Sequence, residues 1–294
     1  MQRYVILTLA LVALVLRGES AVRVVTSTSD LEDLVRKVGG EKVTVSSIVA
    51  GDRNPHYVEV KPSYMMKLKS ADLFFLVGLD LELWAQQIVD GSRNNALAVV
   101  DLSRGVRKLD VPSRTLDASE GDVHRFGNPH YWLDPRNIPI VVDAIVVALS
   151  RVAPGDEPYF RANAEHYTRE LTTRIAVWEK TLKPLAGKKV LTFHKSWTYF
   201  AEWAGIVIAG QVEPKPGVPP SPSHTAAMVT LARSAGITVI IVEPFYDAGA
   251  AEQIARSSGA TVLRLPTSVG GVAEATDYLS LMDYNVRTLA AALR

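Results

Sequence analysis

Asn54-Pro55-His56-Tyr57 recurs as Asn128-Pro129-His130-Tyr131, and no other feature restricts this chain as much. In each copy the proline fixes its own φ and pushes the preceding asparagine toward extended backbone, so the histidine leaves a stiff loop in a defined direction. A third histidine, His194, ends the apolar run Val190-Leu191-Thr192-Phe193. Any one of them alone reads as a turn histidine with satisfied hydrogen bonds. Three imidazoles on rigid supports instead suggest a metal, because coordination geometry must be held within fractions of an ångström.

The rest of the chain alternates short β-branched runs with amphipathic helices. Strands are expected at 22–26, 42–49, 71–77 and 98–102, with helices at 31–38, 63–69, 81–89 and 137–152; Ser27, Thr28 and Ser29 stand where the first helix needs a cap. Residues 157–182 form one uninterrupted helical pattern, about 39 Å long at 1.5 Å per residue. Beyond it, strands at 189–193, 205–209, 237–242 and 261–265 alternate with helices at 196–204, 224–235 and 248–257, the second of these capped by Ser223. Intervening helices imply right-handed crossovers and mostly parallel sheets. The expected fold is α/β: two Rossmann-like lobes joined by one long rigid helix, which permits only modest hinge motion. The expected units are 1–20, 21–155, 156–183 for the linking helix, and 184–294.

Residues 1–20 open with Met1-Gln2-Arg3, run apolar from Tyr4 to Leu16 and reach Gly18-Glu19-Ser20 before Ala21, the pattern of a secretory signal peptide. The run is short for a membrane span, and no other segment approaches the roughly 20 apolar residues one needs. The chain contains no cysteine, so it has no disulfide, and it lacks the residue that a lipid-anchored lipoprotein carries after its signal. A net charge of +1 without a Lys/Arg run argues against nucleic acid or an anionic membrane as partner.

His56 follows the carboxyl end of a strand, where open α/β sheets bind ligands, and His194 and Glu243 also terminate strands. Neutral imidazole suits zinc, copper, nickel and iron, whereas oxygen-rich sites suit manganese, magnesium and calcium. Three histidines and no cysteine favour zinc. Zinc takes four ligands, and Glu243 is the candidate, either as a ligand or as acceptor of an imidazole N–H. Asp52, Glu59 and Asp134 lie close enough in sequence to hold a ligand histidine, and Asp247 reads as a helix cap. His124, in the polar stretch 103–127, reads as a solvated loop residue. There is no His-Glu-x-x-His, Gly-x-Ser-x-Gly, P-loop or Gly-x-Gly-x-x-Gly. An exported zinc-dependent hydrolase, with three protein ligands and a water, stands as the alternative to a binding protein.

The mature chain resembles the solute-binding proteins of bacterial ABC importers for zinc and manganese. The likeness rests on Asn54-Pro55-His56, Pro62-Ser63, Leu68-Lys69-Ser70-Ala71-Asp72-Leu73, Gly78-Leu79-Asp80-Leu81-Glu82-Leu83-Trp84, Asn128-Pro129-His130-Tyr131-Trp132-Leu133-Asp134-Pro135, His194 before Tyr199-Phe200, Pro220-Ser221-Pro222-Ser223-His224, and Glu243-Pro244. It implies two α/β lobes with metal between them, His56, His130 and His194 as ligands, a periplasmic location, and a monomer that delivers Zn2+, or alternatively Mn2+, to a membrane permease. Two departures stand out. Ser268 occupies the place where the family often has an aspartate ligand, and 103–127 holds only His124 where many zinc members carry a histidine-rich loop.

Overall fold

The computed structural model describes residues 21–113 and 124–294; the expected export signal lies outside them. The first lobe runs β1 (Val22–Thr28), α1 (Ser29–Gly39), β2 (Val43–Val49), α2 (Pro62–Lys69), β3 (Leu73–Leu76), α3 (Ala85–Ser92) and β4 (Ala98–Asp101). Its four strands pair in parallel in the order β2-β1-β3-β4. After α4 (Ile138–Val152) and α5 (Glu157–Leu182) comes the second lobe: β5 (Lys189–Thr192), α6 (Thr198–Ala204), β6 (Val207–Gln211), α7 (Pro222–Ser234), β7 (Val239–Val242), α8 (Gly249–Ser258) and β8 (Thr261–Arg264). These strands are also parallel, in the order β6-β5-β7-β8. The α9 helix (Tyr278–Ala292) ends the chain.

The central strands are apolar on both sides because helices cover both faces, as parallel sheets require. Phe74 and Phe75 in β3, and all of Val239-Ile240-Ile241-Val242 in β7, are buried. The α1 helix turns Leu31, Leu34, Val35 and Val38 inward; its acidic first turn (Asp30, Glu32) and basic last turn (Arg36, Lys37) complement the helix dipole.

The α5 helix matches its expected span and packs on α1, α4 and α9. Asn163 near its start donates to the Val38 carbonyl at 3.0 Å. Toward its other end, Trp178 donates to Asp283 of α9 at 2.6 Å, and Trp203 of α6 donates to Glu179 at 3.2 Å. The α9 helix, for which the sequence reading proposed no element, also packs against α1, so one continuous apolar core runs through both lobes. The lobes are therefore tied by more than the long helix. Further ties are the Asp33 carboxylate accepting from Tyr278 N (3.0 Å), the Lys37–Asp277 ion pair (3.1 Å) and the Tyr278 hydroxyl donating to Trp132 O (2.6 Å).

Several local expectations need correction. The helix expected at 81–89 starts only at Ala85. Gly78, Leu79 and Asp80 take positive φ, and the Glu82 carboxylate accepts from Val77 N (2.7 Å) and Gly78 N (3.0 Å), which holds this stretch in a turn. The strand expected at 205–209 lies at 207–211. The cap of α7 is Ser221, whose hydroxyl accepts from His224 N, rather than Ser223. Asp247 is not the residue capping α8, that position being Ala248, although its carboxylate accepts from Gly249 N at 2.8 Å.

Candidate metal centre

His56, His130 and His194 offer nitrogens that all lie within 4.8 Å of one another. Two come from first-lobe loops and one from the end of a second-lobe strand, so the cluster sits between the sheets. The Nε2 atoms of His56 and His130 are 3.1 Å apart. Two nitrogens sharing a tetrahedral zinc at about 2.0–2.1 Å would stand about 3.3 Å apart, so this spacing suits one shared ion.

The asparagines of the repeated tetrapeptides do more than precede a proline. Asn54 Oδ1 accepts from His56 N and Asn128 Oδ1 from His130 N, each at 3.0 Å, so both side chains close a turn across the proline. Asn128 Oδ1 also lies 2.9 Å from His130 Nδ1. Its Nδ2 faces Lys195 O (2.9 Å), Asp110 Oδ2 (3.1 Å) and Thr198 Oγ1 (3.2 Å), which orients the amide with its oxygen toward the ring. An amide oxygen can only accept, so His130 carries its proton on Nδ1 and presents a bare Nε2.

His194 is oriented the same way by a carboxylate. Glu213 Oε2 lies 2.5 Å from His194 Nδ1, and Gly217 N donates to the other oxygen at 2.8 Å. Both partners are buried. An acidic acceptor on the far ring nitrogen fixes the tautomer and makes the ligand nitrogen more basic. The sequence reading passed over Glu213 as part of a proline-rich loop. Its signal was position: with β6 extending to Gln211, Glu213 follows the strand end as His194 and Glu243 follow theirs.

Glu243, at the end of β7, is fully buried and lies outside the three-histidine group. Its Oε1 accepts from the Trp197 indole at 3.1 Å. Burial pushes its pKa up, opposed by His194, the Ser196 hydroxyl and the indole. Ser268 is buried beside Asp30 rather than in the histidine group. Asp52, Glu59 and Asp134 do not hold ligand histidines: exposed Asp52 and Glu59 face Arg53 and Lys61, and Asp134 makes a two-pronged pair with Arg136.

His124 also departs from expectation. Instead of extending into solvent, its ring centre lies 5.0 Å from that of His56. The neighbouring rings reinforce what burial does first, holding His56 and His130 well below the usual histidine range. Both are consequently neutral near pH 7, the form that binds metal. Tyr246 roofs the group from the second lobe, stacked on Phe193 (4.7 Å) with its hydroxyl accepting from Asn54 Nδ2 (3.2 Å). A cavity of about 510 Å³, lined by His124, His130, His194, Asp110 and Lys195 among others, adjoins the cluster.

Comparison with known proteins identifies the family. The family model described as zinc-uptake complex component A, periplasmic, matches residues 24–292. The chain is 26% identical to the manganese-binding lipoprotein MntA of Halalkalibacterium halodurans, over 99% of this chain and 97% of the relative. It is 24% identical to the iron-binding protein YfeA of Yersinia pestis, over 91% and 85%. A crystal structure of ZnuA superposes with a TM-score of 0.81 at 24% identity, covering 94% of this chain and all of that one. The chain belongs to the family of periplasmic zinc-uptake component A, the substrate-binding proteins of metal ABC importers, and is a metal-binding transport component rather than a hydrolase.

Proposed function

We propose that this chain captures one zinc ion between its lobes through His56, His130 and His194, and delivers it to the membrane permease of an ABC importer outside the cytoplasm. The observation that carries this reading is the convergence of three imidazoles from both lobes, two with their far nitrogens held by Asn128 and Glu213. An all-nitrogen donor set of this kind suits zinc better than manganese. Glu243 and Glu213 supply the negative charge that a buried dication needs, with Glu243 beside the coordination shell and Glu213 acting through His194. In this reading residues 1–20 direct export and are removed, and 156–183 form the boundary between the lobes.

Manganese is the second reading, favoured by the relative named for that metal. Loading the purified mature chain with equimolar zinc, manganese and iron, followed by elemental analysis, separates them. We expect one zinc per chain. A manganese-loaded protein would overturn the choice of metal, and a metal-free one the reading itself.

A further inference from the structure

The two asparagines behind the ligand histidines are anchored unequally. Asn128 Nδ2 has three acceptors, Lys195 O, Asp110 Oδ2 and Thr198 Oγ1. Among the described residues Asn54 Nδ2 has one, the Tyr246 hydroxyl at 3.2 Å. An amide is a single plane, so whatever fixes Asn54 Nδ2 also fixes Oδ1, and Oδ1 holds His56 N at 3.0 Å. The Pro55 carbonyl accepts from the Trp84 indole at 2.9 Å, which places the loop from within the first lobe. The position of this loop is therefore set by the first lobe, and the orientation of its Asn54 amide by the second.

Tyr246 is itself a rigid support. Its ring stacks on buried Phe193 with centres 4.7 Å apart and planes 28° from parallel, and it lies 5.7 Å from the His194 ring. Phe245 flanks it at 4.9 Å, and its backbone N donates to Glu243 O at 3.2 Å in the turn that follows β7. A side chain packed in this way has little rotamer freedom left to lose when its hydroxyl takes up a partner. Phe193 and His194 are consecutive, so the second-lobe ligand and the stack under Tyr246 belong to one packed unit. The Tyr246 hydroxyl joins that unit to the His56 loop.

We propose that Tyr246 is a positioning residue that latches the lobes over the captured ion: its hydroxyl holds the Asn54 amide, Asn54 holds His56, and the latch sets how slowly the ion leaves. This rests on the three-histidine reading above and adds a residue that governs release rather than coordination. A hydrogen bond made only with the lobes together stabilises the loaded state after the ion has entered, so its loss acts on dissociation more than on association.

Stopped-flow transfer of zinc from the loaded mature protein to excess chelator reads the release rate. Tyr246→Phe keeps the ring and its stack and removes only the hydroxyl. We expect release to speed up at least about twofold and up to about 10-fold, the range that one neutral hydrogen bond supports, with the association rate changing less. The control Tyr284→Phe, on α9, should release zinc at the wild-type rate. Because Tyr246 acts through Asn54, the Tyr246→Phe/Asn54→Ala double variant should release zinc no faster than Asn54→Ala alone. Release from Tyr246→Phe within about twofold of wild type, or a double variant in which the two effects multiply, overturns the proposal while leaving the three-histidine site standing. A wild type that holds no zinc overturns both.

Discussion

The two Asn-Pro-His-Tyr tetrapeptides have one sequence and two environments. In the second, Tyr131 is buried with its hydroxyl on Val77 O (2.9 Å), Asn128 is fixed by three acceptors, and His130 is fully enclosed with Nδ1 held. In the first, Tyr57 is 55% exposed, the Asn54 amide reaches Tyr246 of the other lobe, and His56 is partly buried. The difference teaches that the tetrapeptide specifies the turn and the direction of its histidine, while the surroundings decide how firmly that histidine is held. The second copy is a fixed ligand on a packed core. The first is an adaptable one at the meeting of the lobes, and His124 stands beside it.

The strongest way to break this comparison is to remove each histidine. His130→Ala should weaken zinc binding by more than about 100-fold, beyond the range of changes outside the coordination shell. His56→Ala should cost less, because His56 is only partly buried on a more exposed loop, whereas His130 is enclosed with its Nδ1 held by Asn128. Calorimetric titration checks both, and equal losses would count against the distinction.

Asp30 tests the support beneath the first copy. The loop that begins at Gly51 lies against Val269, and Asp30 holds that segment by accepting from Val269 N at 2.9 Å. Burial pushes the Asp30 pKa up to about 7, against the pull of Val269 N–H and the Ser268 hydroxyl. A carboxyl that binds its proton more tightly when folded costs nothing below its unfolded value and its full amount above its folded one, so stability falls as pH rises from about 4 to about 7. Asp30→Asn removes that penalty. Its stability relative to wild type should climb across the window by an amount on the order of 3–4 kcal/mol. Glu82, also pushed to about 7 by burial, is present in both proteins and cancels. Denaturant melts at pH 4 and pH 7 read the difference; a gap that stays constant contradicts it.

Asn128→Ala should reduce zinc affinity about 10- to 100-fold by freeing the His130 ring, the range expected for partners behind a metal ligand. Asn54→Ala should cost only a few-fold, since Asn54 fixes the His56 backbone and an inter-lobe contact. The smallest contrast is in the tyrosines. Tyr131→Phe leaves a buried carbonyl without its donor and should lower stability by about 1 kcal/mol, whereas exposed Tyr57→Phe should stay within about 0.5 kcal/mol.

The alternating architecture was legible because parallel strands buried on both faces read as short β-branched runs, and α5 because neither glycine interrupts it nor proline beyond its first turn. The site was legible in part, through the strand-end histidines and the repeat. Glu213 was hidden by a two-residue error in placing β6, which detached it from the sheet edge. His124 was hidden because the ring nearest to it, His56, is distant in sequence, and a lone histidine in a polar stretch has no local mark of being packed against another ring. The α9 helix was missed although Leu279, Met282, Val286 and Leu289 form an apolar face: its capping box pairs Asp277 with Ser280, not the Glu or Gln that usually signals one. Glu82 shows the opposite case, a good helix former drawn into a turn because its carboxylate satisfies two buried N–H groups.

The central claim is that three histidines from two lobes hold one ion. Zinc titration of the wild-type mature chain beside the His56→Ala/His130→Ala/His194→Ala triple variant, with elemental analysis after dialysis, tests it most directly. The account predicts one tightly held zinc per wild-type chain and none in the variant. One tight zinc retained by the triple variant would contradict it.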